Sequence, residues 1–259
     1  MERMIPFEKY EATGNDFVLF DFFESEWFDI NDHALIYNIC QPHFGVGADG
    51  LLILKPHTSF DFEMLYYNAD GNRSSFCGNG SRASVLYMAN KQNKKELSFM
   101  AMDGPHLGIL HNGVVSVQMK DIPNLVNHEL GTIIESGSPH LMVEIDNPFE
   151  SDINTEGQKI RRKFDPDGIN VNFLKVEDDF ITIATYERGV EAETLACGTG
   201  VTAAAYFANR KNNAQGQQTL KIKAKGGFLE VKMLLSGELA TDIWLSGPSR
   251  KVYSGFYVL

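Results

Sequence analysis

The sequence predicts an α+β protein made of two similar halves, each a set of short strands around a central helix. Three observations carry that expectation. A Cys-Gly-x-Gly turn occurs twice, at Cys77-Gly78-Asn79-Gly80 and Cys197-Gly198-Thr199-Gly200, each time opening a run of small and apolar residues. The segments around the turns recur: Cys77, Gly78, Gly80 and Ala83 match Cys197, Gly198, Gly200 and Ala203 at an offset of 120, and Asp61-Phe62 and Gly71 match Asp179-Phe180 and Gly189 at 118. Finally, Gly14-Asn15 and Gly47-Ala48-Asp49, each ahead of an apolar run, are echoed in the same order by Gly137-Ser138 and Gly168-Ile169-Asn170.

Taken in order, Phe7 to Tyr10 reads as a strand, Ala12 to Asp16 as a polar turn, and Phe17 to Phe20 as a second strand. A helix is expected from Asn31 or Asp32 to Cys40, with an acid or amide as its cap and Pro42 just past its end. Gly45 to Gly50 is a Gly-rich loop that feeds a strand over Leu51 to Leu54. It lacks the Lys-Ser/Thr of a phosphate loop, and a strand follows where a dinucleotide fingerprint needs a helix. Phe62 to Tyr67 alternates as a strand, and the first Cys-Gly-x-Gly turn then opens a helix to about Asn90. Short strands follow at Leu97 to Met102, Leu107 to Leu110 and Val114 to Met119, the last two joined by a His111-Asn112-Gly113 hairpin. His106 and His111 are expected at the surface. The pattern restarts after Asp121-Ile122-Pro123-Asn124, so the halves are drawn as residues 1–125 and 126–250.

Composition bounds the function. A hydrophobic share of 43% and a charged share of 22% are those of an ordinary globular chain of 259 residues. A formal charge of −11 argues against nucleic acid or an anionic membrane as the main partner. Three scattered cysteines make no disulfide scaffold, and no signal-like or membrane-spanning run is evident, so a cytoplasmic protein is expected. The seven histidines show no metal-binding spacing, and no Schiff-base lysine with a phosphate cradle is apparent, so neither metal nor organic cofactor is expected.

The chemistry lies in the paired turns. Helix N-terminal N–H groups and the helix dipole favour a thiolate, and the same groups, flanked by glycines, suit a carboxylate. Ionising a thiol of ordinary pKa about 8.5 near pH 7 takes only about 2 kcal/mol. Two such helix starts directed at one spot would hold a carboxylate with a thiol on either side, which is what inverting a carbon α to that carboxylate requires. Bland readings stand beside this one. Cys40 fits a buried apolar residue, and Cys77 and Cys197 are compatible with a structural disulfide, a redox pair, or independent caps.

These residues resemble those of the diaminopimelate epimerase family. The likeness runs through ATGNDFVLFD, GVGADGLL, YNADG, CGNGSRA, SPH, INVNF, YERG and ETLACGTG, nearly the whole chain. It implies two pseudo-symmetric α+β halves, each a barrel-like mixed or antiparallel sheet around a central helix, with the active site in the cleft between them and the tail 251–259 joined to the first half. It implies cofactor-independent interconversion of LL- and meso-2,6-diaminopimelate for lysine and peptidoglycan precursors, by a homodimer. Cys77 and Cys197 would be the acid and base, with Glu187 and His140 beside them. Gly78, Asn79, Gly198 and Thr199 would offer N–H groups to the reacting carboxylate, and Asn15, Asn68, Asn170, Glu187 and Arg188 would bind the amino and carboxylate groups. Considered singly, Asn15 is equally a turn residue, Asn68 and Asn170 strand-end caps, and Glu187 and Arg188 a solvated pair.

The chain departs from the family pattern at three places. Ser138 replaces the usual asparagine before Pro139-His140, Gly50 replaces a glutamine found in some members, and the loop from Arg188 to Cys197 is one residue longer. Related rivals are a proline-type racemase, which usually has histidine where Asn79 stands, and a phenazine-type isomerase, which uses a carboxylate in place of the cysteine pair.

Overall fold

Thr13 (φ 56°) and Gly14 (φ 81°) form the two-residue turn that folds β1 (Met4–Ala12) back onto β2 (Asn15–Asp21); two successive positive φ angles match the natural strand twist of a hairpin. In the computed structural model, which describes residues 3–74 and 76–259, the chain divides into two units, Met1–Val117 with Pro248–Leu259, and Gln118–Gly247.

In the first unit β2 leads through α1 (His33–Cys40) to β3 (Gly50–Lys55), which lies parallel to it. The Asp32 side chain caps α1 by accepting from Leu35 N, and Pro42 follows its end. Next come β4 (Phe62–Asn68), antiparallel to β3, and the short β5 (Arg73–Ser74). Helix α2 (Gly78–Gln92) then crosses to β6 (Glu96–Ala101), parallel to β4. The hairpins β6–β7 (Gly104–His111) and β7–β8 (Val114–Gln118) complete the run, the second turning at Asn112 and Gly113, both at positive φ. The last strand of the chain, β18 (Arg250–Val258), pairs antiparallel with β1.

The second unit repeats this scheme pairing for pairing. β9 (Leu125–His128) and β10 (Gly131–Glu135) stand in the places of β18 and β1. β11 (Pro139–Glu144), α3 (Ile153–Arg161) and β12 (Asn170–Val176) form the parallel crossover. β13 (Ile181–Glu187), β14 (Ala192–Thr194), α4 (Gly198–Lys211) and β15 (Gly216–Ala224) form the next one, with β13 parallel to β15. β16 (Gly227–Ser236) and β17 (Leu239–Gly247) close the meander.

Each sheet wraps around one helix. α2 packs on β1, β2, β3, β4, β6, β7 and β18, and α4 on β10 to β13 and β15 to β17. A helix that touches so many strands of one sheet lies inside its curl and is exposed only toward its C-terminal end, so it carries no amphipathic stripe along its length. Small residues, including Ala203, Ala204 and Ala205 of α4, let the strands come close. The outer face of each sheet is covered by the smaller helix. Ile36 and Ile39 of α1 join Ile5, Val18, Phe20, Leu51 and Ile53, while Ile153 of α3 joins Leu141, Val171, Phe173 and Tyr186. Cover on both faces explains why the Leu51–Leu54 run is buried without alternation.

The expected strands and helices of the first half are present. The sequence reading named no strands over residues 125–135, where β9 and β10 stand, because β9 is largely exposed, β10 is mostly half-buried, and neither shows clean alternation. His106 is a correction. It is buried, stacked between Phe76 and Phe99 at centroid distances of 4.4 and 5.3 Å, with Nε2 3.0 Å from Asp103. The two-residue period of β7 turns it inward together with Leu110's neighbour Gly108.

At Gly108 of β7 helix α2 approaches so closely that an added Cβ would overlap the Val85 side chain. Gly108→Ala is expected to destabilise the protein by about 1–3 kcal/mol in urea unfolding, and Val85→Ala in the same chain to recover part of that loss. Independent, additive effects in the double-mutant cycle would contradict the contact.

Candidate active site

Each buried helix begins at a cysteine. Cys77 is the N-cap of α2, with extended backbone (φ −138°, ψ 111°), and its Sγ accepts a hydrogen bond from Gly80 N at 3.3 Å. The sulfur thus occupies the place of the side-chain oxygen in an ordinary cap, and so carries a partial negative charge toward the helix N–H groups. Asn15, at the start of β2, places Oδ1 3.9 Å from Cys77 Sγ and 3.2 Å from Asn79 Nδ2. Asn15 is held in turn by Asp49, whose Oδ2 accepts from Asn15 Nδ2 at 2.9 Å and from Asp16 N at 3.1 Å, while Asp49 N donates to Asp16 Oδ1. The Gly14-Asn15-Asp16 turn and the Gly-rich loop are therefore one structure. Phe76, stacked on His106, fixes the chain just before the sulfur.

Cys197 is the N-cap of α4 (φ −111°, ψ 113°), and its surroundings differ. Its Sγ lies 3.5 Å from Thr199 Oγ1, which lies 2.8 Å from His140 Nε2. His140 Nδ1 faces Asn172 Nδ2 at 2.9 Å, and Asn172 Oδ1 accepts from Thr185 Oγ1. With the Asn172 amide so oriented, Nδ1 is the acceptor, leaving the ring proton on Nε2 to be donated to Thr199. The Thr199 hydroxyl then has its own proton available for the sulfur. His140 is fully buried, and that burial, the largest influence on it, pushes its pKa down to about 3; the Asn172 contact opposes the shift and Arg188 adds to it. His140 is therefore a neutral donor at any working pH. The site depends on Gly200, because a Cβ there would stand 2.5 Å from Asn172 Oδ1 and 3.2 Å from His140 Cε1.

The other expected residues fall around these two starts. Gly78, Asn79 and Gly198 are buried in the first helical turns, and Asn68 is half-buried at the end of β4. Asn170 is buried, donating from Nδ2 to Ser138 Oγ (2.8 Å) and Pro139 O (3.1 Å) and accepting at Oδ1 from Arg188 N (2.8 Å). It ties the Ser138 turn to the start of the β13–β14 hairpin, so the Ser138 departure is matched by a direct partner within the unit. Arg188 is exposed and steadied by a hydrogen bond from Nη1 to Asp167 O. Glu187 Oε2 accepts from Thr194 Oγ1 at 3.1 Å. Within the longer loop the turn between Glu187 and Ala192 has Gly189 and Glu191 at positive φ, and Glu187 pairs with Ala192. Cys40 is a buried thiol that burial pushes up to about 12, in keeping with a structural role.

Sequence reasoning did not single out Asp49, Asn172, Thr185 or Ser136, whose Oγ donates to Thr199 O. A signal existed for Asn172: two residues after Asn170 on a strand, it shares its face, so an Asn-Val-Asn strand must satisfy two inward amides. Among the described residues no group of three or more His, Cys, Asp or Glu side chains is placed to hold a metal ion.

A sequence model described as diaminopimelate epimerase matches residues 7–122 and 132–251. The chain is 40% identical to the diaminopimelate epimerase of Flavobacterium psychrophilum, over 95% of this chain and 97% of that one. It is 35% identical to that of Chlorobaculum tepidum, over 96% and 99%. Among solved structures, a Bacillus anthracis phenazine biosynthesis protein of the PhzF family has TM-score 0.79 at 11% identity, covering 99% of this chain and 100% of that one. A probable proline racemase from Agrobacterium radiobacter K84 has TM-score 0.73 at 13% identity, covering 97% and 92%. These two share the fold.

Because the folded pKa of His140 lies below its unfolded value of 6.5, the unfolded chain takes up the proton first. Stability is therefore undiminished by this group above about pH 6.5 and falls as pH drops toward about 3, by up to about 1.4 kcal/mol per pH unit. Urea midpoints across that window should show a shallower pH slope in His140→Gln than in the parent chain, and imidazole nitrogen NMR should show one neutral Nε2–H tautomer from pH 5 to 8 (roughly the native range). A ring that titrates near 6.5 would rule this out.

Proposed function

From the premise that the chain belongs to the diaminopimelate epimerase family, we propose a mechanism in which Cys77 and Cys197 act on opposite faces of one α-carbon. The activity is that of an isomerase, diaminopimelate epimerisation in lysine biosynthesis. A single observation supports the residue assignment best: in each unit the cysteine is the N-cap of the helix buried in the sheet.

In the proposed reaction the α-carboxylate is received by first-turn N–H groups of Gly78, Asn79, Gly198 and Thr199, where helix dipoles favour negative charge. One sulfur, as thiolate, takes the α-proton, and the carbon's electron pair spreads into the carboxylate. The other sulfur, as thiol, gives its proton to the opposite face. One proton has been taken up and one released, and the negative charge has moved from the first sulfur to the second. The reverse reaction exchanges their roles, which is why both are the same residue type. Water exclusion strengthens the base and the stabilisation of the carbanion-like state. Thr199, fed by neutral His140, supplies a hydroxyl proton to a Cys197 thiolate. Asn15 sets the Cys77 sulfur, and Asn68 and Glu187 hold the ammonium group. Arg188, a planar two-pronged donor, binds the distal carboxylate, with Asn170 holding its backbone. No cofactor takes part in this scheme.

We also infer a cytoplasmic homodimer that supplies peptidoglycan precursors as well as lysine. No described helix is long and apolar enough to cross a membrane. Dimerisation is supported by β18, which exposes Val252, Tyr253, Phe256 and Val258 beside Met4 of β1. A groove of about 590 Å³ adjoins them, lined in part by Phe7, Trp27, Tyr87 and Phe256. Contiguous exposed apolar surface of this kind marks an association site.

Cys77→Ser and Cys197→Ser are each expected to lower epimerisation of LL-diaminopimelate by at least about 100-fold, followed by solvent-deuterium uptake at the α-carbon. Undiminished exchange in both variants would sink the two-thiol mechanism. Phe256→Asp should shift the sedimenting species from dimer to monomer, and a parent chain that sediments as a monomer would refute the assembly.

A further inference from the structure

Arg161 of α3 lies between the two segments that hold Arg188. On one side its guanidinium pairs with Asp165 and covers Gly168, where an added Cβ would stand 2.8 Å from Arg161 Cζ. That segment also supplies Asp167 O, which accepts from Arg188 Nη1 at 3.0 Å. On the other side Arg161 Nε donates to Glu191 Oε1 at 3.2 Å, in the turn that carries Arg188 itself. One guanidinium thus joins the loop before β12 to the turn between β13 and β14.

Glu191 braces that turn from within. Its Oε1 also accepts from Gly189 N at 3.1 Å, its Oε2 accepts from Tyr186 Oη at 3.3 Å, and its own N–H donates to Glu187 O at 2.8 Å. Its φ of 57° is uncommon for a residue other than glycine, so these bonds hold a backbone shape that the residue does not favour by itself. Arg188 has further support at its own N–H, which donates to Asn170 Oδ1 at 2.8 Å. With its backbone, one guanidinium nitrogen and the end of its turn all fastened, the exposed Arg188 side chain is left few rotamers. A long side chain ordered in advance gives up less entropy when it engages a ligand.

The same contact contributes little to folding. The Arg161 side chain is 18% exposed and that of Glu191 44%, and ion pairs so exposed are weakened by water and salt. What the contact fixes is the direction of a neighbouring arginine. Glu191 lies within the loop that is one residue longer than the family pattern, so the longer turn carries its own brace.

We propose that Arg161 and Glu191 are positioning residues for Arg188, holding its guanidinium aimed at the distal carboxylate before the substrate arrives. This deepens the reading of Arg188 given above and rests on it. Neither residue acts at the reacting carbon. The distal carboxylate is bound alike in the ground state and the transition state, so the effect of the brace shows in KM and leaves kcat in place.

The test is steady-state kinetics of the full chain with LL-diaminopimelate, read by solvent-deuterium uptake at the α-carbon, together with urea unfolding. Glu191→Asn tolerates the left-handed backbone but is one carbon too short to keep the Arg161 contact. That variant and Arg161→Gln should each raise KM by about 3- to 10-fold, with kcat within about twofold of the parent and the urea midpoint nearly unmoved. The double variant should be no worse than the worse single, because both substitutions break the same contact. Parent KM in both singles, a fall in kcat at unchanged KM, or additive effects in the double variant overturns the proposal. Glu191→Asn, at the exposed end of the contact, decides alone should Arg161→Gln not fold. Arg188→Gln separates this inference from the reading beneath it. A raised KM there, with parent values in the other two, removes only the positioning role, whereas parent KM in Arg188→Gln removes the distal-carboxylate role and this inference with it.

Discussion

The constraint on which the structure depends is the start of a helix enclosed by its own sheet. A buried helix end leaves N–H groups that must find partners, and water is largely excluded from the walls around it. In both units the N-cap is a cysteine instead of the usual serine or aspartate: the Cys77 sulfur takes the Gly80 N–H, while Cys197 makes no side-chain cap hydrogen bond. A sulfur cap is a weaker hydrogen-bond acceptor than an oxygen, and a softer base. The helix is thus left with unspent donor capacity at the one point where a bound anion can use it.

Around this shared arrangement the two units diverge. At Cys77 the sulfur takes the Gly80 backbone N–H and lies beside the Asn15 amide oxygen. At Cys197 the support is a relay of neutral groups, Asn172 to His140 to Thr199, ending in a hydroxyl. A helix dipole alone is worth about 0.3–1 kcal/mol, up to about 2 when partly buried. That falls at or just below what ionising a thiol near neutrality requires, so the second partners decide the balance.

How much of this was legible depended on whether the signal was local. The hairpins at Thr13-Gly14 and Asn112-Gly113, the Asp32 cap and the unbroken Leu51–Leu54 run are local, and the structure has them where the residues suggested. β9 and β10 were not legible because they are half-exposed and form by pairing with other strands. His106 was misjudged because its burial comes from Phe76 and Phe99, which lie in other segments. The three hydrogen bonds by which Asn170 ties Ser138, Pro139 and Arg188 together were not legible, because they join segments far apart in the chain.

The sequence by itself determined the two-fold repeat, the helix starts at Cys77 and Cys197, and the family, because these rest on residue types at fixed spacing along the chain. Only the tertiary structure decided what surrounds each sulfur. Arg82 meets Thr13 across 69 residues, and His140 meets Thr199 across 59. Proton affinity in a buried site is set by the few groups within several ångströms, and no spacing rule along the chain says which distant residues the folding of a sheet around a helix will bring there.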